Sequence, residues 1–202
     1  MKNIHPVFDK IVSREAKETR LKQKAKVIWF TGLSGAGKTT VSAALEKKLF
    51  EMGYFTQLLD GDNIRSGINN NLGFSLDDRQ ENIRRIAEVS KLIMNCGVVV
   101  LCAFISPTNE IRNMAKTIIG EDDFIEVFVS TPIEVCEQRD TKGLYEKARK
   151  GLIKDFSGIN APFEAPENAD VVVDTSVVPL QKSVEKIYEA IRDKISEQGQ
   201  ER

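Results

Sequence analysis

The chain has 202 residues, and its 29 lysines and arginines nearly balance its 30 aspartates and glutamates, giving a net charge of −1. This length predicts one domain, at most with a small appendage, and the balanced charge argues against a protein that coats nucleic acid. Hydrophobic residues make up 41% of the chain, as is typical of a globular protein. The longest apolar run, residues 98–105, is too short to span a membrane.

Cysteine and histidine usage limits the chemistry that the chain can carry. The three cysteines form no CxxC pair and are odd in number, so we expect no disulfide framework and a reducing, cytoplasmic compartment. His5 is the only histidine in the sequence, which excludes a Ser-His-Asp triad and metal sites built from histidine and cysteine. The first 26 residues are polar and show no apolar signal core.

In chain order, a helical leader at residues 1–25 precedes a domain of alternating strands and helices at residues 26–202. Within the leader, the spacing of residues 8–24 predicts an amphipathic helix that packs or dimerises. Short β-rich runs predict five strands, at residues 27–31, 55–59, 98–104, 124–129 and 171–174. Helical apolar spacing between the strands predicts helices at residues 37–52, 77–95, 107–119 and 179–195.

This alternation predicts a three-layer α/β fold, in which helices cover both faces of a five-stranded, mainly parallel sheet. Ligands of such sheets bind beyond the carboxyl ends of the strands. Polar segments follow three of the predicted strands directly, at residues 32–39, 60–65 and 105–106. A basic stretch at about residues 139–166 interrupts the alternation and predicts a lid, with a solvated surface helix as the alternative.

Residues 32–39, GLSGAGKT, match the G-x-x-x-x-G-K-[ST] phosphate-binding loop in full. Glycines allow successive backbone N–H groups to turn toward phosphate oxygens, and the following helix directs its positive end at the same anion. We expect Lys38 to reach the β- and γ-phosphates of ATP and the Thr39 hydroxyl to bind Mg²⁺. The other residues predicted to bind the nucleotide here are Gly32, Leu33, Ser34, Gly35, Ala36, Gly37 and Thr40.

The phosphate loop alone does not separate a kinase from a GTP switch, a helicase or a motor. The sequence lacks an Asn/Thr-Lys-x-Asp guanine motif, since DTKG at residues 140–143 has no final aspartate. No acidic residue follows the strand predicted at residues 98–104, where a helicase or motor would need one. Size and the predicted lid therefore favour a small-molecule kinase. A nucleotide-dependent regulatory protein is the alternative, and the presence of Asp60, Arg65 and Arg79 argues against it.

Charged residues after the second predicted strand indicate the acceptor side of the site. Asp60 is the predicted catalytic carboxylate, suited to hold Mg²⁺ or to accept a proton from an attacking hydroxyl. For Asp62, a helix cap is an equally good interpretation. Arg79 and Asn82 share a helix face that points away from the apolar stripe, and arginine forks such as that of Arg65 bind phosphate or sulfate oxygens.

Together these motifs resemble the adenylyl-sulfate (APS) kinase family. The resemblance rests on GLSGAGKT, on LDGDNIR at residues 59–65, on LGF at 72–74 with DRQENIRR at 78–85, and on FISP at 104–107. It continues through CEQRDTKGLY at residues 136–145 and IKDFSGI at 153–159, almost to the last predicted strand. Departures are mild, because Ala36 and Thr39 stand where the family often has serine, and Ser157 where it often has threonine.

The resemblance implies transfer of the γ-phosphoryl group of ATP to the 3′-hydroxyl of APS, giving 3′-phospho-APS (PAPS) and ADP in sulfate assimilation. It implies that Phe74 and Phe156 sandwich the APS adenine, and it places Arg139, a nucleotide-binding residue, with Lys142 and Arg149 in a mobile lid. The implied APS-binding set is Asp62, Arg65, Phe74, Arg79, Asn82, Ile105, Ser106, Lys142, Leu144 and Phe156. Another small acceptor, such as a nucleoside monophosphate or a sugar acid, stays open. We expect a homodimer, and an association with ATP sulfurylase is left open.

Ser106 joins Lys38 and Asp60 in the predicted catalytic set, with two interpretations. The family is often described with a phosphoserine intermediate at this position. A serine hydroxyl is a poor nucleophile without a base, no histidine is at hand, and Asp60 would have to serve. Ser-Pro after a strand also predicts a helix cap followed by proline at the first helical position. We therefore favour a capping and APS-lining role, with the covalent intermediate as the alternative.

Overall fold

A single parallel sheet organises the computed structural model, which describes residues 10–197 together with residues 3, 5 and 7. Its strands run in the spatial order β2-β3-β1-β4-β5, and every neighbouring pair is parallel. The strands are β1 (Val27–Thr31), β2 (Thr56–Asp60), β3 (Val99–Ala103), β4 (Phe124–Val129) and β5 (Val171–Val173). All their carboxyl ends therefore lie along one edge of the sheet.

Helices cover the sheet on both faces. They are α1 (Arg14–Leu21), α2 (Lys38–Glu51), α3 (Gly61–Ser66), α4 (Leu76–Met94), α5 (Asn109–Ile119), α6 (Ile133–Arg139), α7 (Leu144–Arg149) and α8 (Leu180–Ile195). A short 3₁₀ turn at Glu121–Asp123 precedes β4. In the described part of the chain, no helix is both long and apolar enough to cross a membrane.

Alternating side chains of the central strand β1 pack into two apolar layers, one on each face of the sheet. Ile28 and Phe30 pack with α2 and α8 on one face, whereas Val27 and Trp29 pack with α4 and α5 on the other. Every residue of β1 and β3 is buried, as expected of strands covered on both faces. The predicted three-layer α/β architecture is confirmed.

Each strand boundary predicted from the sequence lies within one residue of the observed one. The predicted start of α5 is wrong, because Thr108 caps this helix by accepting a hydrogen bond from the Ile111 N–H at 3.3 Å. Pro107 lies outside the helix, where its carbonyl accepts a hydrogen bond from the Glu164 N–H at 2.7 Å. Three helices of six or seven residues, α3, α6 and α7, were not predicted, because so few turns carry little apolar periodicity.

The leader helix is shorter than the 8–24 predicted and packs on the domain. Phe8, within that predicted range, lies outside the described residues, and the helix ends where Lys22 adopts a left-handed conformation with φ 55°. The buried Glu18 carboxylate accepts hydrogen bonds from the Ala25 N–H at 2.8 Å and from Arg14 Nε at 2.7 Å. This one side chain therefore connects the helix to the residues that precede β1.

Glu18→Ala should lower the free energy of unfolding by about 2–4 kcal/mol, because it leaves the buried Ala25 N–H without an acceptor and removes a partner of Arg14. Urea denaturation measures the change. The control is Glu15→Ala, an exposed position on the same helix, which should stay within about 0.5 kcal/mol of the parent. Equal effects of the two substitutions would contradict a structural role for the leader.

Candidate active site

A cavity of about 950 Å³ opens at the carboxyl edge of the sheet, between the phosphate loop, α3, α4 and α7. It brings together most of the predicted site residues, namely Ser34, Gly35, Gly37, Lys38, Thr39, Thr40, Asp60, Asp62, Arg65, Phe74, Arg79, Asn82, Ile105, Arg139, Lys142, Leu144 and Phe156. Four predicted residues do not line it, namely Gly32, Leu33, Ala36 and Ser106.

The phosphate loop follows β1 and depends on glycine where the backbone turns. Gly35 has φ +73°, and a Cβ there would lie 2.9 Å from the Cys136 carbonyl oxygen of α6. The loop encloses the Lys38 ammonium, whose Nζ donates to the carbonyls of Gly32 at 3.0 Å and Leu33 at 2.8 Å. Burial lowers the pKa of Lys38 to about 8, because a desolvated ammonium is costly. The loop thus holds a cation, with neutral carbonyl oxygens as its partners, where phosphates are expected.

Thr39 and Asp60 meet across the cavity floor. Asp60 ends β2 and caps α3, with Oδ1 accepting the Asp62 N–H at 3.0 Å and Oδ2 accepting the Thr39 hydroxyl at 2.7 Å. Hydroxyl and carboxylate oxygens are ligands that Mg²⁺ takes in proteins, usually completed by substrate phosphates and water. Among the described residues, no group of three or more His, Cys, Asp or Glu side chains could hold a metal ion. The pair therefore fits an ion whose other ligands come with the nucleotide.

The side of the cavity predicted to bind the acceptor is a wall of two arginines around one phenylalanine ring. The guanidinium carbons of Arg65 and Arg79 lie 4.5 Å and 5.6 Å from the ring centroid of Phe74. Arg79 also donates to the carbonyls of Phe74 at 3.0 Å and Asp155 at 2.7 Å. Burial lowers the pKa of both arginines from its ordinary value. The wall is therefore a fixed, partly desolvated cationic surface that suits an anion.

Asn82 lies one turn beyond Arg79 on α4 and is buried at the same wall rather than in the apolar core. Its Oδ1 accepts a hydrogen bond from Asn69 Nδ2 at 2.9 Å, which fixes the amide. Phe156 is buried and meets Tyr145 edge-on, with ring centroids 4.9 Å apart. The adenine sandwich between Phe74 and Phe156 stays a prediction.

Residues around α7 cover the phosphate loop. The Asp140 carboxylate accepts the N–H groups of Leu144, Tyr145 and Glu146, which fixes the first turn of α7. The Tyr145 hydroxyl donates to the Ser34 carbonyl at 2.9 Å, and Lys142 forms an ion pair with Asp62 at the cavity mouth. This segment thus links the donor and acceptor sides.

Only part of the basic stretch faces the cavity. Arg139 and Lys142 line it, whereas Lys147, Arg149 and Lys150 are exposed. Arg149, expected over the nucleotide, instead pairs with Glu137 at 2.9 Å. The solvated-surface alternative therefore holds for these exposed cations, since each can keep its charge in water.

Two threonines of the site were missed from the sequence, Thr131 after β4 and Thr175 after β5. Their hydroxyls lie 2.9 Å and 2.8 Å from the Ala36 carbonyl oxygen in the phosphate loop, and Thr175 also accepts from Arg139 Nη1 at 2.8 Å. Threonine carries no motif here. Their position directly after a predicted strand was the signal that could have found them.

Ser106 lies within the apolar layer beneath α5. Its side chain occupies neither of the two positions predicted for it. It is fully buried, does not line the cavity and does not cap α5, whose cap is Thr108. Its Oγ accepts the Trp29 Nε1–H at 3.0 Å and donates to Thr31 Oγ1 at 3.1 Å. Its carbonyl accepts from Arg112 Nη1 at 2.7 Å. Both hydrogen-bonding functions of the hydroxyl are thus engaged inside the protein.

Ser106→Ala should lower the free energy of unfolding by about 1–3 kcal/mol, because the fully buried indole N–H of Trp29 loses its acceptor. Equilibrium denaturation followed by tryptophan fluorescence measures this. Ser66→Ala, on the exposed end of α3, is the control and should change little. A Ser106 variant as stable as the control would show that the hydroxyl is not engaged as described.

Comparison with known proteins points to one family. The family model described as adenylylsulphate kinase matches residues 24–174. Adenylyl-sulfate kinases of Bacteroides thetaiotaomicron and Bacteroides fragilis are 59% and 58% identical to this chain, in each case over 96% of both sequences. The structure of the Mycobacterium tuberculosis APS kinase in complex with AMPPNP and APS has a TM-score of 0.81 at 43% identity, covering 84% of this chain and 98% of that one. The chain belongs to the adenylylsulphate kinase family.

Proposed function

We propose that the chain is an adenylyl-sulfate kinase, which transfers the γ-phosphoryl group of ATP to the 3′-hydroxyl of APS and releases PAPS and ADP. The observation that carries the proposal is that one cavity joins a phosphate loop to a wall formed by the buried Arg79 and the half-buried Arg65. Family membership over nearly the whole chain supports APS over a nucleoside monophosphate or a sugar acid as the acceptor.

On the donor side, the loop would bind the triphosphate through its backbone N–H groups, through the start of α2 and through Lys38. Lys38 exchanges the carbonyls of Gly32 and Leu33 for the β- and γ-phosphate oxygens. Since its ammonium is already desolvated within the loop, little reorganisation accompanies that exchange.

On the acceptor side, Arg65, Arg79 and Asn82 would hold the phosphosulfate group, because guanidinium forks pair with two oxygens of such an anion at once. Phe74 offers its ring to the adenine, and Phe156 lies in the same cavity. Both anionic groups of the reaction are therefore bound by fixed donors. The 3′-hydroxyl lies between them, facing the junction of Thr39 and Asp60.

Thr39 and Asp60 are the residues that would hold Mg²⁺, which when bound neutralises charge on the β- and γ-phosphates. Asp60 Oδ1 keeps accepting its hydrogen bond from the Asp62 N–H and so keeps α3 in place. Asp60 Oδ2 would act on the attacking 3′-hydroxyl either through the Mg²⁺ that it holds or by taking the proton of that hydroxyl. Transfer is direct, because the Ser106 hydroxyl is buried away from the cavity with both of its hydrogen bonds made.

Assembly and location complete the proposal. The enzyme is proposed to act as a cytoplasmic homodimer, and an association with ATP sulfurylase stays open. Its three cysteines are all free, which suits a reducing compartment. Light scattering after size-exclusion chromatography tests the dimer.

The proposed activity predicts ADP release that depends on APS. In a coupled assay with ATP and Mg²⁺, APS should support rapid turnover, whereas AMP, gluconate and shikimate should stay near the background without acceptor. Chromatography of the products should show PAPS. Turnover with another acceptor would identify a different kinase, and ADP release independent of every acceptor would favour a regulatory nucleotide-binding protein.

Arg79→Ala should weaken APS binding by about 2–5 kcal/mol, because a buried, charged contact to the phosphosulfate is lost. ATP binding should change much less, since Arg79 lies at the Phe74 wall. Isothermal titration with each ligand separates the two. Arg84→Ala, exposed on the same helix, is the control and should leave both affinities unchanged. Equal losses of affinity for APS and for ATP would show that the assignment of Arg79 to the APS site is wrong.

Asp60 and Ser106 separate direct transfer from a covalent intermediate. Asp60→Asn keeps a capping side chain for α3 but should reduce the rate by about 10²–10⁴-fold, because the carboxylate that holds Mg²⁺ or accepts the proton is gone. Ser106→Ala should keep substantial activity at a temperature where it is folded. Wild-type enzyme given γ-labelled ATP without APS should hold no label on Ser106. Label that transfers to product when APS is added would contradict direct transfer.

A further inference from the structure

Three hydrogen-bond donors lie around one carbonyl oxygen of the phosphate loop. The Ala36 oxygen lies 2.9 Å from Thr131 Oγ1 and 2.8 Å from Thr175 Oγ1, and Arg139 Nη1 approaches it at 3.4 Å. Thr131 Oγ1 and Thr175 Oγ1 also lie 2.8 Å from each other, so the two hydroxyls and the carbonyl form one cluster. Each hydroxyl has one proton to donate, and within the cluster it goes to the carbonyl or to the other hydroxyl. Each threonine is in turn fixed, since Thr175 Oγ1 accepts from Arg139 and Thr131 Oγ1 accepts from the Thr175 N–H at 3.3 Å.

The orientation of this carbonyl sets the orientation of a phosphate donor. A peptide unit is planar, and in the trans form its C=O and N–H bonds point in opposite directions. No cis peptide occurs in the described part of the chain, so the Gly37 N–H points away from the two threonines. Gly37 lines the cavity directly before Lys38, at the start of α2, where backbone N–H groups face a bound anion.

We propose that Thr131 and Thr175 are positioning residues of the ATP site: their hydroxyls anchor the Ala36 carbonyl and thereby aim the Gly37 N–H at the phosphates of ATP. The residues act through the backbone and need not touch the triphosphate. They deepen the proposed function, because they concern the same nucleotide site and rest on ATP as its ligand.

Packing around Gly37 agrees with this role. Gly37 has φ +100°, and a Cβ there would lie 3.2 Å from Thr175 Oγ1 and 3.3 Å from its methyl carbon. The close approach of Thr175 therefore requires glycine at this position. Thr131 is buried, and its hydrogen bond to the Ala36 carbonyl is buried with it. The residues that follow β4 and β5 are thus part of a site that the loop motif assigns to β1 alone.

Thr→Val and Thr→Ser variants at both positions test the anchor. Valine keeps the shape of threonine and removes the hydroxyl, whereas serine keeps the hydroxyl. Each Val variant should bind AMPPNP roughly five- to tenfold more weakly, and the double variant about 30-fold or more, with APS affinity unchanged. Each Ser variant should return to within about twofold of the parent. Thr117→Val, exposed on α5 and outside the cavity, is the matched control and should change neither affinity.

Inorganic tripolyphosphate, measured by displacement of AMPPNP, separates the anchor from a contact to the base. The Val variants should weaken the binding of tripolyphosphate by the same factor as the binding of AMPPNP, because the defect lies in a backbone N–H that donates to phosphate. Unchanged tripolyphosphate affinity, or Ser variants as weak as the Val variants, would overturn the proposal. Thermal melts accompany each titration, and if Thr131→Val does not fold, the half-buried Thr175→Val carries the test alone.

These readouts are ligand affinities, so they do not depend on which acceptor is phosphorylated. Parent enzyme that binds AMPPNP but forms no PAPS would overturn the proposed function and leave the test of the anchor valid. In the active enzyme, the Val variants should also raise the KM for ATP while the KM for APS stays constant. A loss of stability alone would instead affect both substrates together.

Discussion

The common direction of the five strands is the constraint on which the site depends. Because every carboxyl end lies on one edge, each strand leads into a segment that lines the cavity or contacts the phosphate loop. β1 leads into the phosphate loop, β2 ends in Asp60, and β3 leads to Ile105. β4 and β5 lead to the two threonines at the back of the loop. A chain with a net charge of −1 can therefore concentrate cations at one place without being basic as a whole.

Those cations are held in place before any ligand arrives. Lys38 is held by loop carbonyls, Arg79 by the carbonyls of Phe74 and Asp155, and Arg139 by Thr175. Carbonyl partners carry no formal charge, so they position a cation and can yield it to a phosphate or sulfate oxygen. A site prepared in this way needs little rearrangement as charge moves during transfer, which is the usual source of electrostatic catalysis. Lys142 is the exception, because its partner Asp62 is itself an anion at the cavity mouth.

Features encoded by a local sequence pattern were predictable, whereas features that depend on three-dimensional packing were not. Apolar strands and long helices have strong periodicity, and the loop and carboxylates have strong motifs, so their positions and meeting at one edge were predictable. The two threonines depend on contacts more than 40 residues apart, such as Thr175 with Ala36 at a separation of 139. Ser106 shows the same limit: Ser-Pro predicts a cap, but the hydroxyl is taken up by Trp29, which is 77 residues distant.

We infer that both substrates occupy one cavity and that the phosphoryl group passes directly between them. ATP made chiral at the γ-phosphorus with oxygen isotopes tests this inference, by comparing the configuration of the transferred group in PAPS with that in ATP. A single in-line displacement inverts the configuration, whereas two displacements through a phosphorylated serine restore it. We expect inversion. Retention of configuration would contradict direct transfer and would require a covalent intermediate on the enzyme.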